Sequence, residues 1–193
     1  MLLAAGAGRR MGRPKALVEL DGEPLVRRAL RALADGGATP LLVVLGAAAD
    51  EVRPLLPADA RAVEAPDWSE GMGASVRAGL AALAALQPVP DAAVVHLVDL
   101  PGIPAAAVAR LAAGATATSL RRAAFTGRPG HPVLLGRDHW AGVSAQAHGD
   151  AGARGYLRGH PQLELVECGD IATPDDVDTP EQLAAAVSRR PTA

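Results

Sequence analysis

Four cations, Arg9, Arg10, Arg13 and Lys15, fall within seven residues and share that stretch with Gly6, Gly8 and Gly12. Glycine takes backbone conformations barred to other residues and lets a ligand come close. Free amides with positive charge nearby are what a polyphosphate needs. Lys15 adds weight, because it is the only lysine and every other basic residue is an arginine. A compact ammonium on a flexible stem suits phosphate gripping. The plain alternative is a solvated turn. Asp99 is the second candidate, following the largely apolar run from Ala92 to Val98. A carboxylate at the end of a buried strand has the chemistry to hold a divalent cation beside phosphates. It also has a plain reading, as a cap on the turn into the helix after Pro104.

The elements that must position these residues alternate. Met1 to Ala4 is apolar and feeds the glycine loop. It is short against the usual five or six residues or so of a central strand, which points to a few residues missing from its start. Pro24 opens a helix whose stripe is Leu25, Val26, Ala29, Leu30 and Leu33, ended by Gly36 and Gly37. Leu41 to Leu45 is a continuous apolar run, as in a strand buried on both faces. A short helix over 47–56, a weak strand over 61–65, a helix over 74–87 and the strand 92–98 follow. Then come a helix to about 113, two strands around Thr126-Gly127, helices over 137–147 and 151–158, a strand over 163–167 and a helix from Pro180. Strands alternating with helices predict a single-domain, Rossmann-like three-layer α/β/α fold on a mostly parallel sheet, spanning 1–188. Residues 189–193 are expected to be a disordered tail. Ligands of such sheets bind beyond the carboxyl ends of the strands, where the loop and Asp99 both lie.

Bulk composition narrows the class. Aromatics make up only 2% of the chain, so the core must be built from Leu, Val and Ala. A net charge of −2 leaves no nucleic-acid footprint. The single cysteine, Cys168, excludes an internal disulfide. The five histidines lack zinc-ligand spacing, and His96 reads as a packed core residue. With no run long enough to span a membrane and no leader pattern, a cytoplasmic protein without membrane or nucleic-acid partners is expected.

Spacing discriminates among nucleotide motifs. The dinucleotide fingerprint G-x-G-x-x-G fails, because one residue too many separates Gly8 from Gly12. A P-loop fails because Arg13 and Pro14 separate Gly12 from Lys15. The stretch Leu3 to Lys15 instead closely resembles the signature L-x-x-G-x-x-x-R-M-G-x-x-K of MobA-like nucleotidyltransferases of the molybdenum-cofactor type. The later segments Gly71-Met72-Gly73-Ala74-Ser75, Asp99-Leu100-Pro101, Gly130-His131-Pro132-Val133-Leu134, Gly149-Asp150-Ala151-Gly152-Ala153-Arg154 and Asp176-Val177-Asp178-Thr179-Pro180 stand in the order of its molybdopterin cytidylyltransferase branch.

That resemblance implies a fold of the nucleotide-diphospho-sugar transferase (GT-A-like) kind. It also implies Mg²⁺-dependent transfer of a nucleoside monophosphate onto a phosphorylated acceptor, with loss of pyrophosphate. The acceptor it implies is molybdopterin, and a molybdoenzyme or its maturation chaperone becomes a candidate partner. Arg10, Lys15 and Asp99 would be catalytic. Leu3, Ala4, Ala5, Gly6, Gly8, Arg10, Lys15, Gly73 and Ser75 would bind nucleotide. Ala-Ala-Gly at 4–6 leans to CTP, where the guanosine-using relatives tend to have Ala-Gly-Gly. Asp99 and Asp178 would hold the metal, although Asp178 also reads as a partner of a helix dipole, just before a capping box of Thr179, Pro180 and Gln182. His131, Asp150 and Arg154 would meet the acceptor. Their plain readings are a turn, an N-cap for the helix through Tyr156 and a solvated arginine. Open alternatives are a guanylyltransferase or a sugar- or alditol-phosphate nucleotidyltransferase of the same fold, a nicotine blue oxidoreductase-like member, and a non-catalytic cofactor carrier.

Overall fold

The structure, a computed structural model, describes residues 1–188; the expected tail lies outside them. Short β1 (Leu2–Ala4) is followed by the cationic loop and a small hairpin, β2 (Glu19–Leu20) and β3 (Glu23–Pro24). Then come α1 (Leu25–Asp35), β4 (Leu42–Leu45), α2 (Ala49–Val52), β5 (Arg61–Glu64), α3 (Met72–Ala84), β6 (Ala92–Leu97) and α4 (Ala105–Ala112). The last part holds β7 (Leu120–Phe125), β8 (Arg128–Gly136), α5 (Trp140–Gln146), α6 (Arg154–Leu157), β9 (Glu164–Glu167) and α7 (Pro180–Ser188).

Seven strands form one sheet in the order β5-β4-β1-β6-β8-β7-β9. Pairings among β5, β4, β1 and β6 are parallel, as is β7 with β9, while β8 runs antiparallel to both β6 and β7. The β7–β8 hairpin turns on Thr126 and Gly127, both at positive φ (51° and 76°), as a two-residue turn that follows the sheet's twist requires.

Alternating side chains divide the core into two layers. Leu2, Val43, Leu45, Val94 and Leu134 pack with α1 and α4 on one face. Leu3, Val44, Val95, Val133 and Leu135 pack with α3 and α5 on the other. The expected three layers are therefore present. Fully burying each Leu or Val contributes about 1.5–3 kcal/mol, which a core this poor in rings must gather from many small side chains.

Three expected helices are shortened, and 47–56 yields only Ala49–Val52 before a 3₁₀ turn, Arg53–Leu55. The segment 151–158 yields only Arg154–Leu157, because Gly149 and Gly152 stand at φ 49° and 53° and break the ladder before it. The segment 137–147 starts as a tight 3₁₀ turn before α5.

Candidate active site

The carboxyl ends of β1 and β6 open into a cleft of about 400 Å³, floored by Leu3, Leu97 and Val98 and walled by Ala5, Gly6, Gly8, Arg10, Trp68, Gly71, Met72 and Ser75. Lys15, Asp99 and Asp178 stand at its inner end and also line a second lobe of about 380 Å³. That second lobe continues over the β6–β8–β7 face, past Val95, Val133, His131, Arg122 and Arg154. The two lobes meet at Leu3, Arg10, Lys15, Met72, Leu97, Asp99 and Asp178.

The glycine loop folds back on itself before Lys15. Gly8 holds φ 61°, and a methyl there would lie 1.9 Å from the Arg13 carbonyl oxygen. No side chain fits at that point. The following 3₁₀ turn, Lys15–Leu17, with Ala16 buried, aims Lys15 inward. Its Nζ donates to Asp99 Oδ2 at 2.6 Å and to Asp178 Oδ1, while Arg10 Nη2 pairs with Asp178 Oδ2 at 2.5 Å. Burial works against the Lys15 ammonium, but Asp99 and Asp178 outweigh it and hold its pKa above the ordinary lysine value. It is therefore charged throughout the neutral range. Any stability it gains from the pair is present below the unfolded lysine value and lost only as strong alkali passes the raised one.

Asp99 is fixed by ending β6. Val177 N–H donates to the Asp99 carbonyl at 2.9 Å and draws the C-terminal segment onto the strand end. Gln182 Oε1 accepts from the amides of Asp178 (2.8 Å) and Thr179 (2.9 Å), and Thr179 Oγ1 accepts from Gln182 N–H (3.3 Å). The capping box is thus present, and it leaves Asp178, only 7% exposed, just ahead of a helix with its carboxylate in the cleft. Residues far apart in sequence, Lys15, Asp99 and Asp178, converge on one point.

Of the other expected nucleotide contacts, Leu3, Ala5, Gly6, Gly8 and Ser75 line the first lobe. Ala4 does not: its side chain lies on the opposite face of β1, in the core with Met11 and Ala16. Gly73 does not either. It is buried, and a methyl there would lie 2.6 Å from the Ala147 carbonyl oxygen, so it lets α3 pack on the end of α5. Gly71 lines the lobe instead, at φ 115°. Asp150 is not an N-cap for α6, because the residue preceding that helix is Ala153 and makes no side-chain cap. The Asp150 carboxylate sits against Gly71 and faces the first lobe.

His131 and Arg154 line the second lobe. Burial and the nearby Arg122 cation push the His131 pKa down to about 4, so the ring is neutral at pH 7. His96 is fully buried in β6 as expected, and burial lowers its pKa to about 3. Neither of its ring nitrogens has a hydrogen-bond partner.

Trp68 and Arg122 were not singled out from sequence. Trp68, one of only two tryptophans in the chain, packs on the Gly46 backbone beside Ala5 and walls the first lobe. Its rarity next to a glycine-rich segment was the available signal. Arg122 had none, because Arg121 and Arg122 look alike until pairing assigns them to opposite faces of β7.

A glycine loop with clustered cations and two carboxylates on a three-layer α/β/α sheet is the build of a nucleoside-triphosphate transferase. The MobA-like NTP transferase domain model matches residues 1–165, and the chain belongs to that family. It is 39% identical to a nicotine blue oxidoreductase of Paenarthrobacter nicotinovorans, over 95% of this chain and 93% of that one. It is 33% identical to a molybdenum cofactor guanylyltransferase of Rhodobacter capsulatus, over 98% and 94%. Among solved structures, Rv0371c of Mycobacterium tuberculosis in complex with manganese superposes with a TM-score of 0.76 at 25% identity, covering 98% of this chain and 97% of that one.

Proposed function

We propose that the protein is a divalent-metal-dependent nucleotidyltransferase that moves CMP from CTP onto a phosphorylated acceptor, molybdopterin; one relative is named a molybdenum cofactor guanylyltransferase. The observation that carries this reading is the convergence of Arg10 and Lys15 on Asp99 and Asp178 where the two lobes meet.

The acceptor's phosphate is already an anion, so no general base is needed. Its oxygen forms a bond to the α-phosphorus as the bond from that phosphorus to the bridging oxygen of pyrophosphate breaks, and the departing electrons stay on pyrophosphate. Catalysis is then positioning and charge neutralisation. The glycine loop offers amides to the triphosphate, and Arg10 and Lys15 neutralise the charge that builds on the leaving group. Asp99 and Asp178 present hard carboxylate oxygens at a strand end and a helix start, which fits Mg²⁺ or Mn²⁺. Such an ion supplies charge stabilisation at the phosphates. A metal held by Asp99 and Asp178 would compete with Lys15 for those carboxylates, and its ammonium would then be available to phosphate oxygens. The Ala5 methyl, which lies beside Gly46 and lines the first lobe, narrows its wall and favours the smaller cytosine.

The test is pyrophosphate release from a panel of CTP, GTP, ATP and UTP with Mg²⁺ or Mn²⁺, with and without molybdopterin. Release that needs CTP, metal and acceptor supports the reading. No release with any combination overturns it. One observation favours a second reading, the 39% identity to a protein named nicotine blue oxidoreductase. Oxidation of NADH or NADPH by the purified chain in the presence of nicotine blue would decide for it. The glycine spacing, which does not match a dinucleotide fingerprint, speaks against it.

A further inference from the structure

Arg122 starts on the strand two places from β6, yet its charge ends toward the Asp99 end of the second lobe. On β7 it stands level with Val133 of β8, and Val133 stands level with Val95 of β6, four residues short of Asp99. β8 runs antiparallel to both neighbours, so Gly130, three residues before Val133, lies about 10 Å nearer the carboxyl end of β6. Arg122 Nε donates to the Gly130 carbonyl at 2.8 Å. That bond bends the side chain along the sheet toward Asp99 and brings the guanidinium to β8, one strand spacing of about 5 Å from β6. His131, next to Gly130, feels both charges. Burial dominates its lowered pKa, Arg122 lowers it further and Asp99 raises it.

A gap separates this guanidinium from the carboxylates it approaches. Asp99, Asp176 and Asp178 line the same lobe of about 380 Å³. Among the described residues, no ion pair includes Arg122. Lys15 holds Asp99, Lys15 and Arg10 hold Asp178, and Asp176 accepts from the Gln182 amide at 3.4 Å. Burial, and then Arg154, lower the pKa of Arg122, and no carboxylate offsets them. Its bond to Gly130 uses Nε alone, so the two terminal nitrogens are left to the lobe. The guanidinium on one side and Asp99 on the other thus bound a space that suits one tetrahedral anion.

The transfer chemistry calls for a cation at that place. Arg10 and Lys15 come from the glycine loop and serve the triphosphate. The acceptor's phosphate must close on an α-phosphorus whose own oxygens are negative, and the two anions repel unless a cation lies on the acceptor's side as well. Resting on the transferase reading, we infer that Arg122 is a catalytic residue that holds the acceptor's reacting phosphate, its terminal nitrogens donating to the two oxygens that do not attack. A planar fork matches such a pair of oxygens. The third oxygen is then turned toward the junction with the first lobe. The rest of the acceptor runs back over the apolar floor of Val95, Val133 and Leu135. The class that fits is a phosphate monoester with a flat or apolar group beside the phosphate.

Phenyl phosphate is the probe, since it carries a phosphate monoester on a flat apolar ring. Its affinity is measured by calorimetry on the full chain with Mg²⁺ and a non-transferable α,β-methylene CTP, and again without nucleotide. Arg122→Gln should weaken the probe about tenfold in both conditions, as loss of a charge-assisted pair does. Arg122→Lys should recover only part of the loss, because it keeps the charge and loses the fork. Affinity for α,β-methylene CTP should be unchanged in both variants. In turnover with molybdopterin, Arg122→Gln should raise the acceptor KM about tenfold and leave the KM for CTP alone, a split that a merely structural arginine would not give. No binding of phenyl phosphate by wild type, unchanged affinity in Arg122→Gln, or an equal loss of the CTP analogue overturns the assignment. The binding readout involves no turnover, so the two readings fail separately. Pyrophosphate release from a chain whose phenyl phosphate affinity ignores Arg122 sinks this role alone. Arg122-dependent binding without pyrophosphate release from any nucleotide sinks the transferase alone.

Discussion

The two lobes of the cleft are built by opposite means. The first is made of loops and helix starts: the glycine loop after β1, the turn at Gly71 and the first turn of α3 with Ser75. The second is made of a sheet face, with Val95, Val133, His131 and Arg122 contributed by adjacent strands. The first lobe is lined largely by backbone and a few glycines, so its geometry depends on main-chain conformation. The second is lined by side chains standing on a rigid sheet, so its geometry depends on register. A phosphate-gripping site tolerates little change in its loop, whereas a sheet face can exchange one side chain for another and meet a different acceptor.

Substitutions should separate the lobes. The largest effect is expected at their junction. Lys15→Ala or Asp99→Ala should lower turnover by about 10³-fold or more, as loss of a group that stabilises transition-state charge does. Both variants should remain folded by circular dichroism. In Lys15→Ala, Asp99 loses its cation and Asp178 keeps only Arg10, so Mn²⁺ alone should raise its melting temperature more than that of wild type. Full activity in either variant would break the role assignment. Next, Gly8→Ala should weaken CTP binding by about tenfold to a hundredfold, because the loop cannot close over a methyl at Arg13. Acceptor-probe affinity without nucleotide should not change. A loss in both would show that the lobes are one unit.

The pH dependence of stability is a smaller effect. Below pH of about 6.5 the unfolded chain protonates its histidines, while folded His131 and His96 refuse protons until about 4 and about 3. Stability should therefore fall across that window as pH falls. His96→Leu should reduce the fall and raise stability at pH 7 by about 1 kcal/mol, since it replaces an unpaired polar ring, as urea unfolding at pH 7 and pH 5 would show. The smallest effect is expected at the Ala5 wall of the first lobe. Ala5→Gly should shift the CTP-to-GTP ratio of kcat/KM toward GTP by about tenfold at most, the scale of one methyl group in a pocket.

The contrast between lobes also explains what could be read from sequence. The alternation of strands and helices, the hairpin at Thr126-Gly127 and the capping box at Thr179 all follow from local patterns, and all are present. Residues of the glycine loop face the first lobe because turn chemistry is local. Ala4 was misjudged because one residue of strand register decides which face a side chain takes. Gly73 was misjudged because its need for smallness comes from Ala147, distant in sequence. Asp150 lost its cap when two positive-φ glycines dissolved the helix it was expected to start. Arg122 was invisible, because only pairing with β8 tells it from Arg121.

The Lys15 contacts have a consequence for how the protein is made. Asp99 follows Lys15 by 84 residues and Asp178 follows it by 163. A ribosome working from the N-terminus releases the cationic loop early and its counter-charges late. Until Asp99 and Asp178 emerge, the loop carries its cations without these two counter-charges. Only when Asp178 emerges does the chain supply the second of its own two anions to close it.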